Sequence, residues 1–599
     1  MLTKTDQDTA EALANAFASV FVKEPAGPLD RNCYPNVEEK DIGDISINYD
    51  DVKYELSKLN ISKSQGPDNI HPKLLKSLSS NVNFVSAICK LFQTCAETTL
   101  IPDQWKVAHV TSLFKKGSKK DPLNYRPVSL TCILSKTYEK FVRRHIMHHI
   151  EQQLSSDQHG FVEHKSCLSN LLETVETIID MIDKGDPVDV FYFDFCKAFD
   201  SVPHFRLLTK MKSMGITGKT LDIVRDFLSG RSFRTYVGGT LSLLRAVLSG
   251  VPQGSVLGPL LFIIFINDLP DCIKAIAKLF ADDLKAIVNA NSVIENRDML
   301  LDLQKWEETW LLRFNPSKCK VMHLDFNENP NHEHIFNDVI LSSVETEKDL
   351  GVLVTEQLLW KDQMKACISK ANQMISWVTR NLILRDKYVM RNVYKTVIRP
   401  HLEYCTQLWS PTAKHGNWAQ IIEIENVQRR FTRLIDDLGT LPYSERLQAL
   451  KLTTLAERRN RGDLIETFKI VNGIVDYGRN MFNKGRSGSK LIVKPSINSH
   501  RKVREVHDSF LPHRVINFWN KLPGEVRLCS NVEEFKIKLE KFKIDNLHLA
   551  ETGNFWDVSE VVLNKIEGKS YLDNKLKQLE YLKLNPGVAF RKGINMRGI

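Results

Sequence analysis

Three apolar segments of strand length stand out in the first half of the chain: VAHVTSLF from residue 107, VDVFYF from 188 and AIAKLFADDLKAIVNA from 275. β-Branched and aromatic residues dominate the second segment, which is typical of a buried strand. The third consists of two short apolar arms that meet at Asp282 and Asp283, so we predict two strands with a corner between them. A further stretch, TYVGGTLSLLRAVLSGVPQGS, predicts a hairpin followed by a glycine-rich loop.

Longer segments carry apolar residues at helical spacing. ILSKTYEKFVRRHIMHHIEQQL predicts a long amphipathic helix, VLGPLLFIIFINDLP a buried helix, and the opening MLTKTDQDTAEALANAF another amphipathic one. NRDMLLDLQKWEETWLLRF places Leu303, Trp306 and Trp310 on one helical face, where we expect them in the core. Beyond Gly351 the pattern is mainly helical and ends in a weakly patterned tail.

Helices mixed with short strands, without a regular βαβ order, predict an α+β fold in which a sheet-containing region precedes helical ones. At 599 residues the chain is long enough for several cores. We expect boundaries near residues 60, 355 and 460, which divide the chain into 1–60, 61–355, 356–460 and 461–599.

Positive charge is concentrated in one part of the chain. The whole sequence has 82 Lys and Arg against 72 Asp and Glu, a net charge of +10. Residues 361–460 alone contain 17 basic and 9 acidic residues, a net charge of +8. Such a block is compatible with a solvated helical face, and it is also the charge pattern expected of a nucleic-acid-binding region.

Cysteine usage and hydropathy indicate the setting of the protein. The eleven cysteines include no CxxC pair, which favours reduced thiols inside a cell. His145, His148 and His149 come closest to a metal cluster, although three histidines on a basic helix more often face solvent. The longest apolar run, residues 256–266, is too short to span a bilayer. We therefore expect a soluble, intracellular protein without a membrane partner.

Three carboxylates lie where an ionised side chain is costly. Asp194 ends the apolar segment VFYFD, and Asp282 and Asp283 follow the apolar arm KLFA. Taken singly, each has an ordinary explanation as a helix cap or a hairpin turn. Together they suggest a compensating divalent cation, because Mg²⁺ prefers oxygen ligands and pairs of such ions promote phosphoryl transfer.

Eight sequence blocks, taken in order, resemble a reverse transcriptase, in particular that of non-LTR retrotransposons of the jockey-like lineage. The blocks are GPDNIHPKLLK, LFKKGSKKDPLNYRPVSL, DQHGFVEHKSCLSNLL, FYFDFCKAFDSVPH, SGVPQGSVLGPLLF, FADD, FNPSKCKVM and KDLGVLVTEQLLW. They extend from about residue 55 to residue 360, and RPHLEYCTQLWSP and RVINFWNKLP match more loosely. The resemblance implies an RNA-directed DNA polymerase that takes an RNA template, a DNA primer or target and dNTPs.

The resemblance also implies a right-hand polymerase architecture. Fingers and a palm with an antiparallel sheet would occupy residues 61–355, and a basic helical thumb residues 356–460. Residues 1–60 would be a helical extension, and the role of residues 461–599 stays open, as does the oligomeric state. Synthesis primed at a chromosomal target would place the protein in the nucleus.

Catalytic and metal-binding roles follow from the matched blocks. Asp194, Asp282 and Asp283 match the catalytic aspartates, with two Mg²⁺ ions, or Mn²⁺ in their place, held mainly by Asp194 and Asp282. Asp283 would act more indirectly, because successive strand side chains face opposite ways. Lys318 resembles a lysine that protonates departing pyrophosphate, and it could instead simply contact a phosphate.

Substrate-binding residues are implied in the same way. Lys115 and Arg126 match positions that contact the triphosphate, and Phe199 matches the ring that excludes a ribose 2′-hydroxyl. Gln253 and Gly254 match the block beside the template and the nascent base pair. The turn that grips the primer end would contain Leu350 and Gly351. The basic run around Lys115 could equally be a solvated loop or a nuclear-import patch.

Two departures from the family pattern leave an alternative open. Phe280 stands where the family usually has Tyr before Ala-Asp-Asp, and we expect no endonuclease domain before residue 55. We therefore interpret the chain as the polymerase part of a mobile-element protein. The alternative is a catalytically weak or inactive nucleic-acid-binding relic of such an element. An RNA-templated RNA polymerase is disfavoured by Phe199, and an intron maturase by the looser C-terminal match.

Overall fold

The computed structural model describes residues 5–25, 42–412, 418–485, 490–493, 501–545 and 557–567. Helices predominate, and the strands form sheets with both parallel and antiparallel pairs. This mixed helix–strand architecture agrees with the fold class predicted from the sequence. The tail beyond residue 567 lies outside the described residues.

The strands fall where the short apolar segments predict them, with several shorter ones added. In chain order they are β1 (Val107–Phe114), β2 (Tyr125–Leu130), β3 (Val188–Phe193), β4 (Ser232–Val237), β5 (Thr240–Leu241), β6 (Arg245–Ala246), β7 (Ile276–Phe280), β8 (Asp283–Asn289), β9 (Lys320–His323), β10 (Ile335–Phe336), β11 (Val339–Ile340), β12 (Ser342–Ser343), β13 (Thr346–Asp349), β14 (Val352–Thr355), β15 (Asn483–Lys484) and β16 (Leu491–Ile492).

The helices of the first 310 residues surround these strands. They are α1 (Asp6–Ala18), α2 (Tyr49–Ser57), α3 (Pro72–Ser77), α4 (Val82–Thr98), α5 (Asp103–Lys106), α6 (Ile133–Ile150), α7 (Cys167–Asp183), α8 (Ala198–Ser201), α9 (His204–Ser213), α10 (Gly218–Leu228), α11 (Leu257–Phe265) and α12 (Val293–Trp310).

Beyond Thr355 the described residues are almost entirely helical. The helices of this region are α13 (Lys361–Asn381), α14 (Lys387–Val393), α15 (Arg399–Glu403), α16 (Thr406–Trp409), α17 (Trp418–Thr432), α18 (Tyr443–Leu450), α19 (Leu455–Val471), α20 (Arg501–Ser509), α21 (Leu511–Lys521), α22 (Gly524–Arg527), α23 (Val532–Asp545) and α24 (Asp557–Glu567). A π-helical turn, Tyr394–Ile398, joins α14 to α15.

The central sheet has the strand order β12-β9-β3-β8-β7. β3 lies in its middle and pairs antiparallel with both β8 and β9, and only the edge pair β12–β9 is parallel among these strands. Nearly every residue of β3 is buried, which explains why its sequence is apolar apart from Asp189. Because side chains alternate, Phe191 and Phe193 face one hydrophobic core and Val190 faces another.

These two cores hold the molecule together. The first joins one face of the central sheet to α4, α6 and α9–α12. It contains Leu303, Trp306 and Trp310, which are at most 3% exposed, so the predicted core role of this helical face is confirmed. The second core joins the opposite face of the sheet to α7, β14 and the helices from α13 to α23.

A second sheet, of order β2-β1-β4-β5 with β6 beside β4, mixes both pairing directions. β1 is antiparallel to β2 and parallel to β4. The opening amphipathic helix α1 packs on this sheet, where Leu13, Ala14 and Phe17 form a small core with Val110 and Phe233. Among the described residues, no helix is both long enough and apolar enough to cross a membrane.

Candidate active site

The three predicted carboxylates lie together at one end of the central sheet. Phe193, the last residue of β3, pairs with Leu284 of β8, so Asp194 and Asp283 leave neighbouring strands side by side. Phe280 and Asp283 close the β7–β8 hairpin, which leaves Ala281 and Asp282 as a two-residue turn. Ala281 has a φ of 53°, as such tight hairpin turns require. The predicted corner between two strands is therefore confirmed.

Burial and mutual repulsion make these carboxylates a site that favours a cation. Burial raises the pKa of Asp282, and the charge of Asp194 raises it further, while Arg126 and Lys115 act in the opposite direction. Loss of solvation, together with the charges of neighbouring carboxylates, raises the pKa of Asp283 to about 6. Positive charge placed among these groups would lower the cost of ionising them.

Lys318 lies directly against the first carboxylate. Its Nζ is 2.5 Å from Asp194 Oδ2, and both side chains are partly exposed. The backbone fixes this approach, because Asn315 N donates to Asp194 O at 2.7 Å and Cys196 N donates to Arg313 O at 2.8 Å. The loop before β9 thus runs along the residues that follow β3.

One open cavity of about 590 Å³ unites most of the predicted site residues. Asp194, Asp282 and Lys318 line it from the carboxylate end. Also lining it are the predicted nucleotide-binding residues Lys115, Arg126, Phe199, Gln253 and Gly254. Asp283, Leu350 and Gly351 do not line this cavity.

The basic wall of the cavity comes from the β1–β2 hairpin. Lys115 follows β1, and its backbone N donates to Asn124 O at 2.9 Å, while Arg126 lies opposite Leu113 in β2. Burial lowers the pKa of Lys115, and Arg126 adds to this shift, whereas Asp194 opposes it. The two cations therefore share one electrostatic environment with the carboxylates.

Phe199 forms part of the apolar floor of the cavity. Its ring stacks on Phe262 of α11, with centroids 4.5 Å apart and planes inclined by 13°. The ring of Phe161 forms an edge-type contact with it, with centroids 6.2 Å apart and planes inclined by 77°. Because a buried helix supports the ring from below, Phe199 has little freedom to move away from a bound molecule.

Gly254 is required by the geometry of its loop. Its φ is 121°, a region that L side chains rarely adopt, and a Cβ there would lie 2.3 Å from Ser129 O. Gln253 O accepts a hydrogen bond from Ser129 N at 2.7 Å. The glycine-rich loop is thus fastened to β2 and forms a fixed side of the cavity.

Leu350 and Gly351 form the turn between β13 and β14, outside the cavity. Their φ angles are 44° and 89°, so both residues adopt left-handed conformations. Asp349, which precedes the turn, forms a 2.6 Å ion pair with Lys285 of β8. The predicted primer turn is therefore connected to the strand that carries Asp283.

The DQHGF motif contributes two residues to the site that the sequence alone does not identify as functional. Gln158 Oε1 accepts from Gly160 N at 2.7 Å and from Ala281 N at 3.0 Å, so this amide supports the carboxylate turn. Phe161 lines the cavity with a φ of 60°, although it is not glycine. The motif lies in one of the matched sequence blocks, which marks it as part of the enzyme. Only the fold shows that its residues reach β7 and the cavity.

The donor chemistry of the site fits Mg²⁺. Asp194 and Asp282 supply carboxylate oxygens to one cavity whose opposite wall is cationic and could hold phosphate. Within the described ranges, no group of three or more His, Cys, Asp or Glu side chains could hold a metal. Mg²⁺ is usually held by one or two carboxylates and completes its shell with water and substrate phosphates. Two carboxylates beside a phosphate-binding wall meet this requirement.

Comparison with known proteins gives a consistent result. Residues 115–366 match the family model described as "Reverse transcriptase (RNA-dependent DNA polymerase)". The probable RNA-directed DNA polymerase from transposon BS of Drosophila melanogaster is 27% identical over 441 residues, which cover 69% of this chain and 47% of that protein. The corresponding protein from transposon X-element of the same species is 25% identical over 416 residues, covering 67% of this chain and 45% of its own length.

A third relative belongs to the lineage that the sequence blocks resemble. The RNA-directed DNA polymerase from mobile element jockey of Drosophila funebris is 24% identical over 404 residues, covering 64% of this chain and 44% of that protein. The chain spans less than half the length of these three curated relatives.

Proposed function

We propose that the chain, whose residues 115–366 match the reverse transcriptase family model, is the RNA-directed DNA polymerase part of a non-LTR retrotransposon protein. It would extend a primer 3′-hydroxyl with dNTPs on an RNA template. The observation that supports this activity best is the shared cavity in which Asp194 and Asp282 face Lys115 and Arg126. Nucleotidyl transfer requires both groups: carboxylates that bind metal cations, and basic side chains that bind the phosphates of the nucleotide.

We further propose that the fold corresponds to a right hand. The second sheet, which contains β1 and β2, would belong to the fingers, and the central sheet would belong to the palm, within residues 61–355. The basic helices of residues 356–460 would be the thumb, with 1–60 as an extension and 461–599 as an appendage. Synthesis at a chromosomal target would require the protein in the nucleus.

Each cavity residue then has a role. Asp194 and Asp282 would hold Mg²⁺, with Asp283 acting through its charge, and the bound ions would stabilise the attacking and leaving oxygens. Lys115 and Arg126 would bind the triphosphate. Phe199 would lie beneath the incoming sugar and exclude a 2′-hydroxyl, while Gln253 and Gly254 would contact the nascent base pair.

Lys318 would change partners during the reaction. Its ammonium group lies 2.5 Å from Asp194 in the free protein. Phosphate oxygens in the cavity would attract it away from that carboxylate, and it would then donate a proton to departing pyrophosphate. Its simpler role would be to hold one of those oxygens. Leu350 and Gly351 would support the primer end.

Primer extension tests the proposed activity directly. Purified full chain is given an oligo(dT)-primed poly(A) RNA and dTTP, with Mg²⁺ or Mn²⁺. Asp282→Ala removes a proposed metal ligand, and Asp298→Ala, an exposed aspartate of α12, is the matched control. We expect extension by the wild type and the control and a loss of roughly 100- to 1,000-fold in Asp282→Ala, the range measured when one group that stabilises the transition state is removed.

Two results would contradict the proposal. Equal extension by the wild type and Asp282→Ala would show that the site is misplaced or that another enzyme is present. No extension by folded wild type that still binds the primer–template would support the inactive relic instead.

A further inference from the structure

Two ion pairs fasten the β13–β14 hairpin to the central sheet. Glu347 and Asp349 are two residues apart on β13 and therefore point to the same side. Glu347 pairs with Lys320 of β9 at 2.6 Å, and Asp349 pairs with Lys285 of β8 at 2.6 Å. The Lys285–Asp349 pair is almost completely enclosed, with side-chain exposures of 4% and 5%.

Lys285 connects this hairpin to the carboxylate site. It lies two residues after Asp283 on β8, so both side chains are on the same face of the sheet. Across the β7–β8 ladder its partner is Lys278, which is neutralised separately by Asp157 at 2.8 Å and Glu173 at 2.9 Å. Asp349 therefore supplies the negative charge that balances the buried ammonium group of Lys285.

The Leu350–Gly351 turn of this hairpin is also held by Tyr404. Tyr404 follows α15, and its hydroxyl donates to Leu350 O at 2.7 Å. A Cβ placed on Gly351 would lie 3.3 Å from Tyr404 Cε1, so the ring packs closely on the turn. Leu350 has a φ of 44°, an unfavourable conformation that persists only where surrounding contacts enforce it.

We propose that Lys285, Asp349 and Tyr404 are positioning residues that hold the Leu350–Gly351 turn at a fixed place relative to Asp282 and Asp283. The inference rests on the proposed function, in which this turn supports the primer end. The buried ion pair fixes the turn to the catalytic strand, and the Tyr404 hydroxyl fixes it to the basic helices. Together they would present the primer 3′-hydroxyl to the α-phosphate of the incoming nucleotide.

Tyr404→Phe is the sharpest test, because it removes one hydroxyl and keeps the ring. Tyr54→Phe, at an exposed tyrosine of α2, is the matched control. With full chain and a recessed primer–template, we expect kcat to fall roughly tenfold in Tyr404→Phe, since small misplacements of reacting groups have large effects on rate. The KM for dNTP should change less than about twofold, because a positioning residue of the primer does not touch the nucleotide.

A second measurement follows the primer terminus without any reaction. A primer with 2-aminopurine at its 3′ end is bound to the full chain in Ca²⁺ without dNTP, and its fluorescence reports the stacking of that base. We expect Tyr404→Phe to lose most of the fluorescence change that wild type and Tyr54→Phe produce. A wild-type response in Tyr404→Phe, with unchanged kcat, would overturn the proposal. If the wild type gives the fluorescence change but no extension, the proposed polymerase activity is refuted. The comparison of Tyr404→Phe with wild type would still show whether Tyr404 positions the primer terminus.

The ion pair needs a variant that remains folded. Lys285→Met/Asp349→Leu replaces both charges with apolar side chains, an exchange that buried pairs often tolerate. We expect this double variant to show a fluorescence response as small as that of Tyr404→Phe. A folded double variant with the kcat and the fluorescence response of the wild type would show that the Lys285–Asp349 pair does not position the turn.

Discussion

Phe199 shows how one ring can determine the choice of sugar. It is held against the cavity by Phe262, 4.5 Å below it. We expect Phe199→Val to let ribonucleotides enter, because the smaller side chain leaves room for a 2′-hydroxyl. The ratio of kcat/KM for dTTP to that for UTP should fall by at least about tenfold.

Phe199→Tyr keeps the ring in place and is the control for this prediction. It should preserve the discrimination of the wild type. A Phe199→Val enzyme that discriminates as strongly as the wild type would mean that the ring has a purely structural role.

Asp200, next to this ring, predicts a pH dependence of stability. Burial raises its pKa to about 6, with Lys197 acting against the shift. Below the unfolded value the carboxyl is neutral in both states. Between about pH 4 and pH 6 the unfolded carboxyl ionises while the buried one keeps its proton, so the free energy of unfolding falls as the pH rises through this range and levels off above it. Asp200→Asn should therefore be more stable than wild type by roughly 2–3 kcal/mol at pH 8 and by about half as much at pH 5.

Urea unfolding of both proteins at the two pH values measures this difference. Other titrating groups contribute equally to the wild type and the variant, so only the difference between them is interpreted. A pH-independent difference would mean that the carboxyl of Asp200 is solvated in the folded protein.

Between elements, the Lys285–Asp349 pair fastens β13 to β8. Lys285→Met should lower the free energy of unfolding by roughly 3–5 kcal/mol, because Asp349 would remain buried without its partner. Lys285→Met/Asp349→Leu should recover most of that loss. The exposed pair Lys305–Asp302 is the control, and Lys305→Met should cost less than about 1 kcal/mol. Similar losses in both single variants would show that the buried pair is hydrated in solution.

The elements around the carboxylates could be predicted because their signals are local. An apolar run that ends in Asp194 and two apolar arms around Asp282 already contain the strand ends and the turn. The contacts of Lys285 with Asp349, and of Leu350 with Tyr404, join residues 64 and 54 positions apart. No periodicity in the sequence records such pairs, so only the fold could reveal them.

For the whole molecule, charge predicts how the duplex is held. The basic side chains of residues 361–460, with a net charge of +8, should bind the phosphates of the duplex backbone without sequence preference. We expect affinity for an RNA–DNA duplex to fall by about a thousandfold between 50 and 200 mM salt, equally for unrelated sequences. Anisotropy titrations over that salt range provide the measurement.

Matched charge variants locate this interaction on the surface. Neutralising Lys361, Lys365 and Lys370 on the exposed face of α13 should reduce the salt slope by about one for each lost phosphate contact. Neutralising Lys53, Lys73 and Lys90, which are exposed on α2–α4, should leave the slope unchanged. Equal effects of the two triple variants would argue against the basic helices as the duplex-binding surface.

The facing lysines of the β7–β8 hairpin also constrain the order in which the protein assembles. Lys278 finds its countercharges upstream, in Asp157 and Glu173, whereas Lys285 must wait for Asp349, 64 residues downstream. Burying an ammonium group before its partner arrives is strongly unfavourable. During synthesis on the ribosome, the carboxylate turn would therefore reach its final packing only after residue 349 has emerged. A nascent chain stopped before that point should keep this hairpin open to proteases, even though every residue of the carboxylate cluster has already been made.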